Sequence, residues 1–134
     1  MYKYKITVLR LVDGDTLDAL IDIGFSTHVK KRIRLMGIDT PESRTRDLEE
    51  KARGLASKAH LKEMLKRNKG NITLKSHGVG KFGRCLGELF VPEYNCSVNE
   101  QMISDGHAIE YFGGNKELAK EKAKRKKSKW INYL

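Results

Sequence analysis

The sequence predicts an α+β, mainly β fold: a five-stranded barrel with one helix between the third and fourth strands and two helices after the fifth. Three observations lead there. Residues 4–38 carry three runs of apolar residues with the period of two expected of strands, separated by turn signals. A stretch of helical spacing follows from Asp47 to about Arg67, and two more strand-like runs come after it. That order of elements is the OB arrangement. The arrangement suggests nucleic-acid binding and is silent on catalysis, because function belongs to the site and not to the fold.

In the first run Tyr4, Ile6 and Val8 alternate with Lys5, Thr7 and Leu9, which predicts a strand over 4–11. Asp13-Gly14-Asp15 is a turn signal and Thr16 to Ile23 the second strand. After a turn at Gly24–Thr27, Val29, Ile33 and Leu35 interleave with Lys31, Arg32 and Arg34 in a third strand, making residues 4–38 a meander. Pro41 ends it and opens a polar loop, Glu42–Arg46. Asp47 with Glu50 forms a capping-box pattern, after which Leu48, Ala52, Leu55 and Ala59 recur at helical spacing, with Gly54 as an unfavourable helix residue among them. Asn71–Lys75 and Arg84–Val91 are the remaining strands, joined across Gly78–Gly83. Ser97 with Glu100 caps a short helix carrying Val98, Met102 and Ile103, and Gly106 is placed to end it. The last helix, Asn115–Lys129, carries eight Lys or Arg against two Glu and would dock by Leu118, Trp130 and Ile131. No repeat or linker interrupts the chain, so residues 1–134 are expected to form one domain.

Lys and Arg outnumber Asp and Glu by 27 to 17, a formal net charge of +10. Such an excess favours polyanions, with DNA or RNA the leading partner and an anionic membrane the weaker one. Cys85 and Cys96 lack CxxC spacing and are expected as reduced thiols, and the four histidines show no metal-ligand spacing. The N-terminal residues alternate charged and apolar where a secretory signal needs an apolar block, and no segment is apolar enough to cross a bilayer. A protein of the cytoplasm or of a host-cell interior, monomeric and without an obligate protein partner, is the expectation.

Chemistry concentrates in Arg34-Leu-Met-Gly-Ile-Asp39-Thr40-Pro41-Glu42. A guanidinium can hold a phosphate through two parallel hydrogen bonds, Asp39 offers hard oxygen to a divalent cation, and Glu42 is close enough to handle a water. Asp13-Gly-Asp15-Thr16, read alone, is a hairpin turn, yet it adds a second carboxylate, Asp15, at a strand start. Two carboxylates with a backbone carbonyl and waters can satisfy Ca²⁺, whereas zinc or iron would want imidazole or thiolate. Arg84 follows a glycine turn, which lets its side chain lean toward the barrel surface. Each of these residues has an ordinary reading by itself: a solvated charge for either arginine, helix-entry chemistry for Glu42.

Together, Val12-Asp-Gly-Asp15-Thr16, Arg34 through Asp39-Thr-Pro-Glu42, Lys81-Phe-Gly-Arg84 and, more weakly, Met102-Ile-Ser-Asp-Gly106-His-Ala108 resemble the staphylococcal nuclease (thermonuclease) family, in order and in approximate separation over nearly the whole chain. The resemblance implies that Asp15 and Asp39 are carboxylate ligands of Ca²⁺, with Mg²⁺ or another hard divalent cation as the alternative, and that Thr40 adds its backbone carbonyl. It implies that Arg34 and Arg84 hold the scissile phosphate and stabilise its five-coordinate transition state, that Glu42 activates or orients the attacking water, and that Lys81 contacts nucleic acid. The implied activity is calcium-dependent, sugar-nonspecific hydrolysis of DNA and RNA leaving 3′-phosphate ends. The chain departs from the pattern at Phe82, where the best-known secreted member has a tyrosine, and in a longer stretch between Asp15 and Arg34. The resemblance loosens near Tyr111-Phe112, a pair that could stack on a base or belong to the core. The competing reading is a catalytically inactive nucleic-acid-binding module of the same fold. Such modules lose the arginines or the carboxylates, and this sequence keeps all five charged positions. Under either reading the basic C-terminal segment would add salt-sensitive affinity.

Overall fold

Three antiparallel strands, β1 (Lys3–Asp13), β2 (Thr16–Asp22) and β3 (His28–Leu35), form the meander, and a 20-residue helix, α1 (Leu48–Arg67), follows it. The structure is a computed structural model that describes residues 2–80 and 83–111. Between β3 and α1 lies a two-residue strand, β4 (Ile38–Asp39); after α1 come β5 (Thr73–Val79), β6 (Cys85–Phe90), α2 (Val98–Ser104) and β7 (Ile109–Glu110). The five long strands close into a barrel in the order β1-β2-β3-β6-β5, with β5 returning to β1 through Lys3↔Lys75 and Lys5↔Thr73. Only β3 and β6 run parallel, at Ile33↔Cys85 to Leu35↔Gly87, and the helix inserted between β3 and β5 makes that crossover possible. This is the expected mainly β, OB-type barrel. No helix among the described residues is long and apolar enough to cross a membrane. Lys81, Phe82 and the helix expected at 115–129 lie outside the described residues.

The core is where the period-two pattern puts it. Leu17, Ile33, Leu35, Leu74 and Leu89 point into the barrel and are fully buried, and Leu61, Met64, Val98 and Met102 plug it from the two helices. Each such side chain contributes about 1.5–3 kcal/mol by leaving water. Register shifts between Val8 and Arg10 and between Leu11 and Asp13 bend β1, and they carry the strand two residues beyond its expected end at Leu11, into the turn that holds Asp15.

Three details depart from the sequence reading. The third strand stops at Leu35; Gly37, at φ +80°, turns the chain, and Ile38–Asp39 pair instead with β7 at Ile38↔Glu110 and Asp39↔Ile109. On α1, Leu48, Ala52, Leu55 and Ala59 face outward, with Leu48 79% exposed, while the buried side is Arg53, Gly54, Ser57, Leu61, Met64 and Leu65. The reason is steric. The first half of α1 lies against backbone, and a Cβ on Gly54 would stand 2.5 Å from the carbonyl carbon and oxygen of Glu42. Large apolar residues therefore fit inward only in the second half. The capping box at Asp47 is one-sided: its carboxylate accepts from the N–H groups of Glu49 and Glu50, but its own N–H donates to Thr45 Oγ1.

α2 behaves as expected. Ser97 Oγ accepts from Glu100 N–H, and Gly106, at φ +79°, closes the C-terminus. The Gly106 N–H donates to Ile103 O and the His107 N–H to Met102 O, the two bonds of a Schellman motif.

Candidate active site

The β1–β2 turn is two residues, Gly14 and Asp15, between the paired Asp13 and Thr16. Gly14 is required by proximity and not by backbone angle: a Cβ there would meet Ser57 Cβ at 2.8 Å and Thr40 Cγ2 at 3.1 Å. The turn is thereby pressed between α1 and the 40s loop. Asp15 is buried and bonded on every side. Its main-chain oxygen accepts from Leu35 N–H at 2.8 Å, while its carboxylate accepts from Thr16 Oγ1 at 2.9 Å and from Thr40 N–H at 3.1 Å. One residue thus ties the turn to the end of β3, to the start of β2 and to Thr40.

Arg34 stands opposite, its Cα paired with Thr16 on β2. Its Nη1 donates to its neighbour's carbonyl, Leu35 O, at 2.8 Å, which fixes the guanidinium plane. Its Nη2 lies 3.5 Å from both Asp15 Oδ2 and Asp39 Oδ1. Those distances are ion-pair contacts at the outer edge of hydrogen bonding, leaving the cation loosely held between two carboxylates. The Arg34 side chain is 15% exposed and that of Asp39 48%, so the cluster opens to solvent on the Asp39 side. Asp39 is placed by its backbone, through the β4–β7 pairing and the Tyr111 N–H bond to Gly37 O.

Thr40 is buried, and its Oγ1 has no hydrogen-bond partner among the described residues. The donor set around Arg34 is oxygen only: two carboxylates and Thr40. That suits a hard divalent cation, which takes its remaining ligands from water or substrate. No group of three or more His, Cys, Asp or Glu side chains assembles as a metal cluster among the described residues, so protein ligands to such a cation would be few.

Glu42 is exposed on the loop between Pro41 and α1. Its backbone is held from two sides. Ser43 donates to Asp13 Oδ1 through both its N–H, at 3.3 Å, and its hydroxyl. Gly54 of α1 packs directly beneath the Glu42 carbonyl. Neither Asp13 nor Ser43 nor Gly54 stood out as a site residue in the sequence. The glycine inside a helical pattern was the available signal, since such a residue marks a close packing contact when it is not a cap.

Arg84, just before β6, lines a cavity of about 500 Å³ together with Val12, Asp13, Thr16, Arg32 and Gly83. The cavity adjoins the Asp15–Arg34 cluster through Thr16 and the Glu42 loop through Asp13. Behind it, Asp18 accepts from Arg32 Nε at 2.9 Å and Arg10 Nε at 3.1 Å. The hydrogen bond from Arg32 holds the Asp18 carboxyl below the usual carboxylate range against the opposing effect of burial, with the charges of Arg32 and Arg10 adding to it. Asn99 was also missed. It is buried on α2, takes Leu89 N–H on its Oδ1 and donates to Met36 O at 2.8 Å and Gly87 O at 3.1 Å, locking α2 to β6 and to the turn that leads into Asp39.

Against this geometry stand the similarities to known proteins. Residues 32–130 match the model of the family described as staphylococcal nuclease homologue. The chain belongs to that family. Micrococcal nuclease of Shigella flexneri is 30% identical over 115 residues, 81% of this chain and 59% of the relative. Protein ParB of Escherichia coli is 31% identical over 111 residues, 78% of this chain and 55% of the relative. The matched part therefore spans little more than half of either relative. Within the nuclease-family match lie Arg34, Asp39, Thr40, Glu42 and Arg84; Asp15 precedes it and is joined to it by the contacts described above.

Proposed function

We propose that this chain is a metal-dependent nuclease that hydrolyses phosphodiester bonds of DNA and RNA with little regard for base or sugar, using Ca²⁺ and leaving 3′-phosphate ends. The observation that carries the reading is the Arg34 guanidinium poised 3.5 Å from both Asp15 and Asp39 at a solvent-open edge, where a phosphate can reach it. Membership of the nuclease family and the net charge of +10 support a polyanionic substrate.

In this reading Asp15, Asp39 and Thr40 hold the cation, which when bound polarises a phosphoryl oxygen and helps place the attacking water. Arg34 and Arg84 grip the nonbridging oxygens, on which negative charge grows as the water attacks. Cations fixed beforehand at that position stabilise the transition state more than the ground state. Arginine serves better than lysine because its fork is planar and permanently charged. Glu42 presents its carboxylate to the water from a loop whose backbone is held by Asp13 and Gly54. Its exposed carboxylate can orient the water or take its proton. Thr40 and Asp15 keep the carboxylate side of the site in register through the 3.1 Å bond between them.

The deciding experiment is cleavage of plasmid and single-stranded DNA in Ca²⁺, in Mg²⁺ and in chelator, with an Arg34→Ala, Glu42→Ala double variant beside the parent. Calcium-dependent cleavage that the variant lacks supports the reading. Binding without cleavage under every metal overturns it in favour of an inactive nucleic-acid-binding domain.

A further inference from the structure

The β2–β3 hairpin ends in a loop whose form and content pull in opposite directions. Gly24, Phe25 and Ser26 all have positive φ, at 87°, 56° and 58°. Phenylalanine is an unfavourable occupant of that region, where glycine or asparagine is the usual choice. The side chain gains nothing by packing in return: Phe25 is 101% exposed, beside a half-exposed Ile23. The loop is nevertheless firmly tied. Gly24 N–H donates to Asp22 Oδ1 at 2.9 Å, Thr27 N–H to Gly24 O at 2.9 Å, and Ile23 N–H to Thr27 O at 3.0 Å. An aromatic ring is thus held out in water on a strained but braced turn, and such strain marks functional positions.

From that tip a row of cations leads to the site. On β3 the even-numbered residues share the outer face, because Ile33 and Leu35 point into the barrel. That face carries His28, Lys30, Arg32 and Arg34, each about 6.7 Å from the next. Residues 28–32 lie beyond the pairing with β6, so among the described residues β3 is bonded there to β2 alone and forms an open ridge. Lysines on an exposed edge also discourage strand pairing between molecules, but that role asks nothing of Phe25. On the β2 side the Cα partners of Arg32 and His28 are Asp18 and Asp22. Asp18 is ion-paired with Arg32 and Arg10, so a second phosphate backbone laid alongside would meet Asp22.

Building on the proposed nuclease site, we propose that this ridge is the track for one unpaired nucleic-acid strand: its backbone runs from Arg34 along Arg32 and Lys30 to His28, a span of about 20 Å, and a base stacks on Phe25 beyond it. A single strand is the partner that fits. A base must be unpaired to offer its face to an isolated ring.

The test is binding of a labelled single strand of a dozen nucleotides by fluorescence anisotropy in chelator, so that nothing is cut, compared with a duplex of equal length. Phe25→Ala should weaken single-strand binding about tenfold or more, Phe25→Trp should restore it, and duplex affinity should change by less than about twofold. Lys30→Gln should weaken the single strand and flatten the slope of log affinity against log salt by about 0.7. Lys69→Gln, which removes a lysine at the groove between α1 and β1, should leave single-strand affinity near that of the parent. Parental single-strand affinity in Phe25→Ala, or equal losses on single strand and duplex, would overturn the track. Because cleavage plays no part in the measurement, a chain that binds as described but cuts nothing refutes the nuclease reading and leaves this one standing.

Discussion

Gly54→Ala separates the packing of α1 from the chemistry proposed for Glu42 more cleanly than any change at the charged residues. The added methyl carbon would stand 2.5 Å from the Glu42 carbonyl carbon and oxygen and 2.7 Å from Ser43 N, where ordinary contact begins at 3.4 Å. The obstacles are backbone atoms and cannot swing aside, so the loop has to retreat by about 0.9 Å. Retreat is resisted at its other side, because Ser43 is bonded to Asp13. On the role proposed for Glu42, a displacement of that size costs about 10² in rate, equivalent to about 2.7 kcal/mol in the barrier.

Stability should move far less. Replacing glycine by alanine inside a helix gains about 1 kcal/mol, and overpacking costs about 1–3 kcal/mol. The net is a loss of about 0–2 kcal/mol, readable in urea melts. The assay is therefore kcat and KM on a plasmid or oligonucleotide substrate beside the unfolding midpoint. The expected pattern is kcat down about a hundredfold, KM changed a few-fold at most, and the protein still folded. Ala59→Gly, at an exposed position of the same helix, serves as the inverse control: it should lower stability by about 1 kcal/mol and leave kcat alone. A Gly54→Ala enzyme with parental kcat would refute the claim that this glycine holds the Glu42 loop in place.

Other outcomes follow from the same contacts. Asp13→Ala should lower kcat about 10- to 100-fold by releasing Ser43, whereas Asp13→Asn, which keeps an acceptor oxygen for Ser43, should recover most of it; equal losses in the two variants would point to the charge of Asp13 and away from its bond. Calcium at 100 times its dissociation constant should stabilise the fold by about 2.7 kcal/mol in thermal unfolding, an effect that Asp39→Ala should abolish; an equal shift in that variant would place the ion elsewhere. The His107 imidazole is held below its ordinary pKa by burial and by the facing charge of His60, stacked 4.3 Å away, against the opposing pull of Asp105. The unfolded chain then takes up this proton first as pH falls. Stability from this residue should be complete above its ordinary value of about 6.5, decline as pH drops below it, and level off once the folded-state pKa is passed. Urea melts between neutrality and mild acid should show that decline in the parent and a shallower one in His107→Gln, and identical profiles would remove His107 as its source.

The barrel was legible because its signal is local. Strand alternation such as Tyr4-Ile6-Val8 and Val29-Ile33-Leu35 needs only one buried face, and the two N-caps, Asp47 and Ser97, need only their own first turns. The candidate site residues stood out because Arg34, Asp39, Thr40 and Glu42 fall within nine residues and Asp15 sits in a recognisable turn. What stayed hidden depends on contacts between segments far apart in the chain. Asp13 meets Ser43 thirty residues away, Asn99 reaches Met36 across 63, and β4 exists only because β7 arrives beside it.

The inward face of α1 is the sharpest case. Hydropathy alone chose Leu48 and Leu55, yet the helix turns Gly54 and Ser57 inward, where Gly54 meets the backbone of Glu42 and Ser43 and Ser57 the carbonyl of His107. A position that packs on backbone must be small, and smallness next to a polar loop looks, in a sequence, like a weak helix. Gly54 thus carries two meanings at once: an unfavourable helix residue of about 1 kcal/mol when read locally, and a seat for the Glu42 loop when the fold is assembled. The local cost is the reason to look for the tertiary one, since a glycine survives in the middle of a helix where some neighbouring backbone leaves room for nothing else.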